Sequence, residues 1–310
     1  MRVSVPPALA GERLDRAVSV LWHCSRGESA ALVAAGAVRV NGAVGRGRAV
    51  RLREGDELAV AHEALAGRRA AGPQPESGVA VAVVHEDEHV VVVDKPAGLV
   101  VHPGAGRATG TLCSGLLARY PEMAGVGERS RPGIVHRLDA GTSGLLVAAR
   151  SPRAYESLLG QLAERSVRRC YEAVCWGAVG DDRGVIDAPV GRSGRRRTHM
   201  AVTEQGRAAR TFYEVRRRYL RPASVSHLCC RLETGRTHQI RVHLAAIGHP
   251  LVGDEAYGGG ADGAGAALRL DRPALHAAAL GFRHPRDGRA VEFESALPED
   301  LSTLLAGLSQ

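Results

Sequence analysis

Between residues 12 and 36 the apolar side chains recur at helical spacing. ERLDRAVSVLWH (12–23) places Leu14, Ala17, Val18 and Leu21 on one face of a helix. In SRGESAALVAAG (25–36), Ser25 and Glu28 have capping-box spacing and Gly36 marks the stop. The period then shortens. AVRVNGAV (37–44) carries Asn41-Gly42, a strong hairpin signal, and LREGDELAV (52–60) adds a turn and a strand. The first 61 residues therefore predict a small module ordered helix, helix, β element.

HEALAGRRAAGPQPESG (62–78) has no apolar period and is rich in Ala, Gly, Pro and charge, which predicts a linker. VAVAVVHEDEHVVVVDKP (79–96) gives two strand-like runs. LLVAA (145–149) is a buried strand by pattern, following a Gly-x-x-Gly turn at Gly141 and Gly144. THQIRVHLAAIG (237–248) reads as a helix with Ile240, Leu244 and Ile247 on one face and Gly248 as its stop. GGGADGAGAA (258–267) is a loop by composition. Residues 79–310 mix strands and helices at short spacing and fit one α+β domain.

Composition narrows the partners. The chain is 45% hydrophobic, and no apolar run is long enough to span a bilayer. The N-terminal MRVSVPPALAGERLD lacks the apolar core of a signal peptide, so a cytoplasmic location with no membrane contact is expected. The net charge is +8, and Lys95 is the sole lysine. An arginine-rich, basic surface favours polyanions, and guanidinium forks match phosphate geometry. The six cysteines form no Cys-x-x-Cys pair, and His85 and His89 in HEDEH read as solvated residues before a strand, so no metal is expected. GAGRATG (104–110) lacks the Gly-Lys-Ser/Thr of a P-loop.

One carboxylate stands out by position. In RPGIVHRLDAGTSGLLVAAR (131–150), Asp139 sits in a loop feeding the buried strand. Taken alone it reads as a turn aspartate bonding its own backbone. Four ordered stretches change that reading: HEDEHVVVVDKPAGLVVHPG (85–104), the Asp139 segment, RRCYEAVCWG (168–177), and ETGRTHQIRVHLAAIGHPLVGDEAYGG (233–259) followed by LHAAALGFRHPRDG (275–288). Together they resemble the RluA-type pseudouridine synthases, closest to the bacterial branch acting on large-subunit ribosomal RNA. GERLDRAV, CSRGESAALVAAGAVRVNG and REGDEL resemble the S4 RNA-binding module.

The resemblance implies an α+β protein: an S4-like module over 1–61, a linker, and a catalytic domain on a mixed, mostly antiparallel sheet. It implies conversion of uridine to pseudouridine with Asp139 as the catalytic carboxylate. Attack to form a covalent bond and removal of the ribose 2′ proton remain alternatives. Burial disfavours an ionised carboxylate, and a nearby guanidinium offsets that. The family's QIR arginine, here Arg241, supplies it, with Arg236 as the alternative. The family's Lys-x-Tyr appears as Arg169-Cys170-Tyr171, which makes Tyr171 the residue packed against the target base. Arg137 is either an insert into the RNA stack or a structural salt bridge, and His136 a support for its loop. For RNA contact the candidates are Arg26, Arg39 and Arg46 in the S4-like module, and Arg192, Arg195, Arg196 and Arg197 in GRSGRRRTHM. Two departures are Ala140-Gly141 after the aspartate and Asp94 before Lys95. An isomerisation requires no cofactor, and a monomer is expected. The competing readings are an inactive S4-type ribosome assembly factor and an RNA hydrolase; the latter would want a second acid or a metal.

Overall fold

The computed structural model describes residues 2–309 apart from 23, 25, 46, 48–49, 62–71, 105–106, 195, 197, 261–267 and 269, and leaves out the side chains of 26–28. The Ser25 cap, Arg46, most of the expected linker and most of the glycine-rich loop lie outside the described residues. The chain divides into two compact units, Met1–Gly72 and Pro73–Gln310.

The first unit pairs β1 (Arg2–Ser4), β2 (Val38–Val40), β3 (Ala43–Val44) and β4 (Glu57–Val60) in the antiparallel order β1-β4-β2-β3, with helices α1 (Leu14–Leu21) and α2 (Arg26–Ala34). Leu14, Val18, Leu32, Val38, Leu52 and Leu58 form its core. The hairpin turn needs positive φ at both central residues, and Asn41 and Gly42 supply 50° and 82°. Asn41 is held there: its Nδ2 donates to Asp56 at 2.9 Å and its Oδ1 accepts from the Glu57 amide at 2.7 Å.

The second unit begins earlier than the composition of 62–78 suggests. The Glu76 amide donates to the Ser114 carbonyl at 2.9 Å, and its carboxylate accepts the Gly110 amide at 3.0 Å. A paired backbone and a bonded acid fix 73–78 to this unit. Its nine-stranded sheet contains β5 (Val83–Glu86), β6 (Val90–Lys95), β7 (Ser143–Ala149), β8 (Arg168–Trp176), β9 (Arg183–Asp187), β12 (Arg210–Tyr219), β13 (Val225–Leu232), β14 (Leu275–Arg283) and β15 (Ala290–Glu294). The order is β5-β6-β7-β14-β8-β13-β12-β9, with β15 on β14; β10 (Val190–Arg192) and β11 (Met200–Val202) form a separate pair. Only β7 and β14 pair in parallel, so the sheet is mixed and mostly antiparallel.

The continuous apolar runs of β6 and β7 follow from burial on both faces. Val91, Val93, Leu146 and Ala148 enter one core, and Val90, Val92, Leu145 and Val147 enter another. Helix α3 (Leu112–Arg119) packs in the first core, and α4 (Pro152–Ala163), capped by Ser151, in the second. Helix α6 (Glu299–Ala306) closes a third with Val174, Val225 and Val252. Gly144 belongs to β7, not to the turn expected before it. Its φ is 108°, and an added Cβ would stand 2.3 Å from the Ala277 carbonyl oxygen, so glycine permits the close parallel approach of β14.

Helix α5 (Gln239–Ala246) buries Ile240 and Leu244 as its pattern predicts. Ile247 does not join them. It lies at the C-cap, past the last helical turn, and is 39% exposed. Among the described residues no helix is long and apolar enough to cross a membrane.

Candidate active site

The loop before β7 is anchored through its backbone. Lys95, fully buried, donates from Nζ to the carbonyls of Pro96 at 2.8 Å, Leu99 at 2.9 Å and Ala140 at 3.2 Å. The Gly98 amide also donates to Ala140, and Arg272 Nη1 to Gly141. Three ties therefore hold the two residues after Asp139. Its carboxylate is left to other work: among the described residues its one hydrogen bond comes from a side chain, not from its own backbone, which disposes of the turn-aspartate reading.

Burial lowers the Lys95 pKa from 10.5 to about 8, with Asp139 pulling upward. The unfolded lysine thus holds its proton to higher pH than the folded one. The burial penalty is in force below about pH 8 and is relieved as pH rises toward 10.5. Lys95→Met should destabilise the protein, because three carbonyls lose their donor. The advantage of wild type over the variant, measured by urea unfolding, should grow between pH 8 and 10.5. A flat difference would show that the ammonium bears no burial penalty.

Arg241, in the first turn of α5, reaches Asp139 across 102 residues of sequence: Nη1 to Oδ2 is 3.3 Å. Its principal partner is Asp254, 1% exposed, which accepts from Nε at 2.7 Å and Nη2 at 2.8 Å. That fork fixes the plane of the guanidinium. Burial opposes the charge, but the bonds to Asp254 and the attraction of Asp254 and Asp139 outweigh it and raise the Arg241 pKa. The Tyr257 ring covers the guanidinium, with 4.9 Å from Cζ to the ring centroid.

His238 Nε2 lies 3.9 Å from Asp139 Oδ1. The Tyr257 hydroxyl accepts the Met200 amide at 3.0 Å and lies 2.7 Å from His238 Nδ1. Donation from the hydroxyl to Nδ1 leaves the imidazole proton on Nε2, the side facing Asp139. Burial lowers the His238 pKa, against the pull of Asp139, which favours that neutral ring. His238 has φ 56°, a left-handed conformation uncommon for a residue with a side chain. Gln239 holds the bend: Oε1 accepts from Thr234 Oγ1 and the Arg236 amide, and Nε2 donates to Arg210 O and Thr211 Oγ1.

Asp139, His238 and Arg241 line a cavity of about 490 Å³, within the range of small-ligand pockets. Tyr171 lines it from β8, where Arg169, Tyr171 and Ala173 point to the buried side and Cys170 to the other. Tyr171 is 5% exposed, and burial raises its pKa. Arg137 lines the mouth and is exposed, with no salt bridge to a described residue. Arg131, Arg165 and Arg207, which no sequence signal marks, share that lining with Arg236, the alternative partner for Asp139, and make a basic rim. Arg192 and Arg196 are exposed and outside the lining, and Arg195 and Arg197 lie outside the described residues. In the first unit, Arg39 donates to the Gly42 carbonyl at 2.9 Å, and the side chain of Arg26 is outside the description. Asp254, Tyr257 and His238 sit inside quoted motifs, but no local signal assigned them a place.

A family model described as RNA pseudouridylate synthase matches residues 89–246. Ribosomal large subunit pseudouridine synthase D of Pseudomonas aeruginosa is 43% identical over 315 residues, covering 99% of this chain and 95% of that protein. The uncharacterized RNA pseudouridine synthase YlyB of Bacillus subtilis is 41% identical, covering 96% and 94%. Among solved structures, human RNA pseudouridylate synthase domain containing 1 is 32% identical with a TM-score of 0.58, covering 76% of this chain and 91% of that one. With the family match spanning the Asp139 loop, β8 and α5, and relatives alike over nearly its whole length, this chain belongs to the RNA pseudouridylate synthase family.

Proposed function

We propose that the protein isomerises uridine in large-subunit ribosomal RNA, with Asp139 as the reacting carboxylate. One observation carries this: Asp139 faces a cavity of nucleoside size, and among the described residues the one hydrogen bond to its carboxylate comes from Arg241, whose own charge is matched by Asp254. In the reaction N1–C1′ breaks and its electron pair stays on uracil. The ring turns, C5 bonds to C1′, C5 gives up its proton and N1 takes one, so atoms and electrons balance without a co-substrate. Tyr171 would form the wall against the base. The ribosomal substrate rests on the name borne by the Pseudomonas relative. The charge of +8 and the arginine rim support a polyanionic substrate. A monomer working in the cytoplasm fits this reading. RNA tritiated at uridine C5 tests it: the purified protein should release tritium from ribosomal RNA, and no release would leave the assembly-factor reading standing.

The first unit is proposed as the S4-like RNA anchor, with Arg26 and Arg39 as its candidate RNA contacts. Removing residues 1–72 leaves a unit with its own cores. The truncated protein should bind ribosomal RNA more weakly, and the slope of log affinity against log salt should become shallower as phosphate contacts are lost. Filter binding at several salt concentrations measures both. An unchanged slope would remove the anchor role.

A further inference from the structure

The two oxygens of the Asp139 carboxylate have different surroundings. Oδ2 accepts from Arg241 Nη1 at 3.3 Å, while Oδ1 has no hydrogen bond among the described residues. His238 Nε2 stands 3.9 Å from Oδ1, too far for a direct bond and near enough for one oxygen to bridge the two. Both side chains line the cavity, and they keep 26% and 15% of their surface open, His238 the larger share. The imidazole is also oriented. The Tyr257 hydroxyl accepts the Met200 amide and donates to Nδ1 at 2.7 Å, so the ring proton sits on Nε2. The residue that carries this ring has φ 56°, a backbone conformation that costs free energy and recurs at functional contacts.

A group bridging this gap must accept from Nε2–H and donate to a carboxylate oxygen. Attack at C1′ and removal of the 2′ proton both bring Asp139 to the C1′–C2′ edge of the ribose. The polar atoms of uridine near that edge are O2, O4′ and the 2′-hydroxyl. O2 and O4′ only accept, and either would set a lone pair against the negative Oδ1. In an internal nucleotide the 3′ and 5′ oxygens are esterified, so the 2′-hydroxyl alone both accepts and donates. It is also the group that separates RNA from DNA. Breaking N1–C1′ builds positive charge at C1′, and in glycoside cleavage hydrogen bonds to the neighbouring hydroxyl strengthen as that charge develops. We infer that His238 and Asp139 clasp the 2′-hydroxyl of the target uridine, Nε2–H donating to it and Oδ1 accepting from it, so that the site selects a ribose. This rests on the reading of Asp139 as the reacting group.

The test measures single-turnover tritium release from large-subunit ribosomal RNA transcripts labelled at C5 and made with uridine, 2′-deoxyuridine or 2′-fluorouridine. His238→Asn keeps a residue type that tolerates positive φ and places its amide near the position of Nδ1, within reach of Tyr257 but short of Asp139. His238→Gln places its amide near the position of Nε2. On uridine RNA, His238→Asn should slow release by about 10–10²-fold with RNA Kd within about twofold of wild type, and His238→Gln should recover part of the rate. Loss of the hydroxyl should cost wild type about 10-fold more than it costs His238→Asn, with either analogue. That ratio cancels the intrinsic effect of the 2′ substituent on the breaking bond. A purely structural histidine reverses the order, His238→Asn above His238→Gln, and overturns the inference, as do equal hydroxyl penalties in wild type and His238→Asn. If His238→Gln folds poorly by its thermal midpoint, the penalties decide; if the analogues release no tritium with either protein, the order of the two variants decides. A fully active His238→Asn overturns the inference in every case. Asp139→Asn run alongside separates the two failures: an active Asp139→Asn removes the parent reading, whereas an inactive one with a fully active His238→Asn removes only the clasp.

Discussion

Asp139→Asn is expected to abolish tritium release from C5-labelled ribosomal RNA, a loss of about 10⁴-fold or more, as when an enzyme loses its reacting group. Binding of the same RNA should stay within a few-fold of wild type, and the thermal midpoint within a few degrees. The geometry separates these readouts. Among the described residues the Asp139 carboxylate has one hydrogen bond, 3.3 Å from Arg241, while Asp254 holds Arg241 with bonds of 2.7 and 2.8 Å. The oxygen of the introduced side-chain amide can still accept from Arg241, and Asp254 still neutralises the guanidinium. The loop backbone remains tied to Lys95, Gly98 and Arg272. What disappears is the negative oxygen facing the cavity. On the proposed reading RNA contact falls to the arginine rim, which the substitution does not touch. Single-turnover release and filter binding on one preparation measure both. Residual turnover near the wild-type rate would remove Asp139 from the chemistry, and a parallel collapse of binding would make it a recognition residue.

What could be read from the chain depended on how local the signal was. The Asn41-Gly42 turn, the α1 face and the two-sided burial of β6 and β7 are all written in a few adjacent residues, and the folded chain shows each. β1 was missed because three residues carry no readable period. Asp139, Tyr171 and Arg241 surround one cavity, but that expectation came from resemblance; composition and spacing alone favoured a turn aspartate. The residues that fix the arrangement were illegible for physical reasons. Asp254 lies in GDEAYGG, which reads as an acidic turn, and only the fold puts it against Arg241, 13 residues earlier. His238 adopts a left-handed backbone that its neighbours do not announce. Conversely, GRSGRRRTHM drew attention as a charge run, yet its described arginines stay off the cavity. The rim arginines 131, 165, 207 and 236 occur far apart in the sequence, and the sheet and its loops bring them together.

The Arg241–Asp254 pair carries the second large effect. Asp254→Ala should destabilise the protein by about 3–5 kcal/mol, the usual result of removing one member of a buried ion pair. That corresponds to a thermal midpoint lower by roughly 6–20 °C. Arg241→Met should do similar harm for the opposite reason, leaving Asp254, 1% exposed, as a buried carboxylate without its cation. Both variants should lose tritium release, because each removes or releases the guanidinium that faces Asp139. Loss of activity in an unstable protein proves little, so the double variant Arg241→Met/Asp254→Leu decides the matter. It replaces the pair with apolar groups of similar size, and such replacements are often neutral or stabilising. The double variant should regain most of the thermal midpoint and none of the activity. Recovery of tritium release along with stability would mean that Arg241 only holds the fold together. Stability without release would place the guanidinium in the chemistry, beside Asp139 and the substrate, while Asp254 aims it.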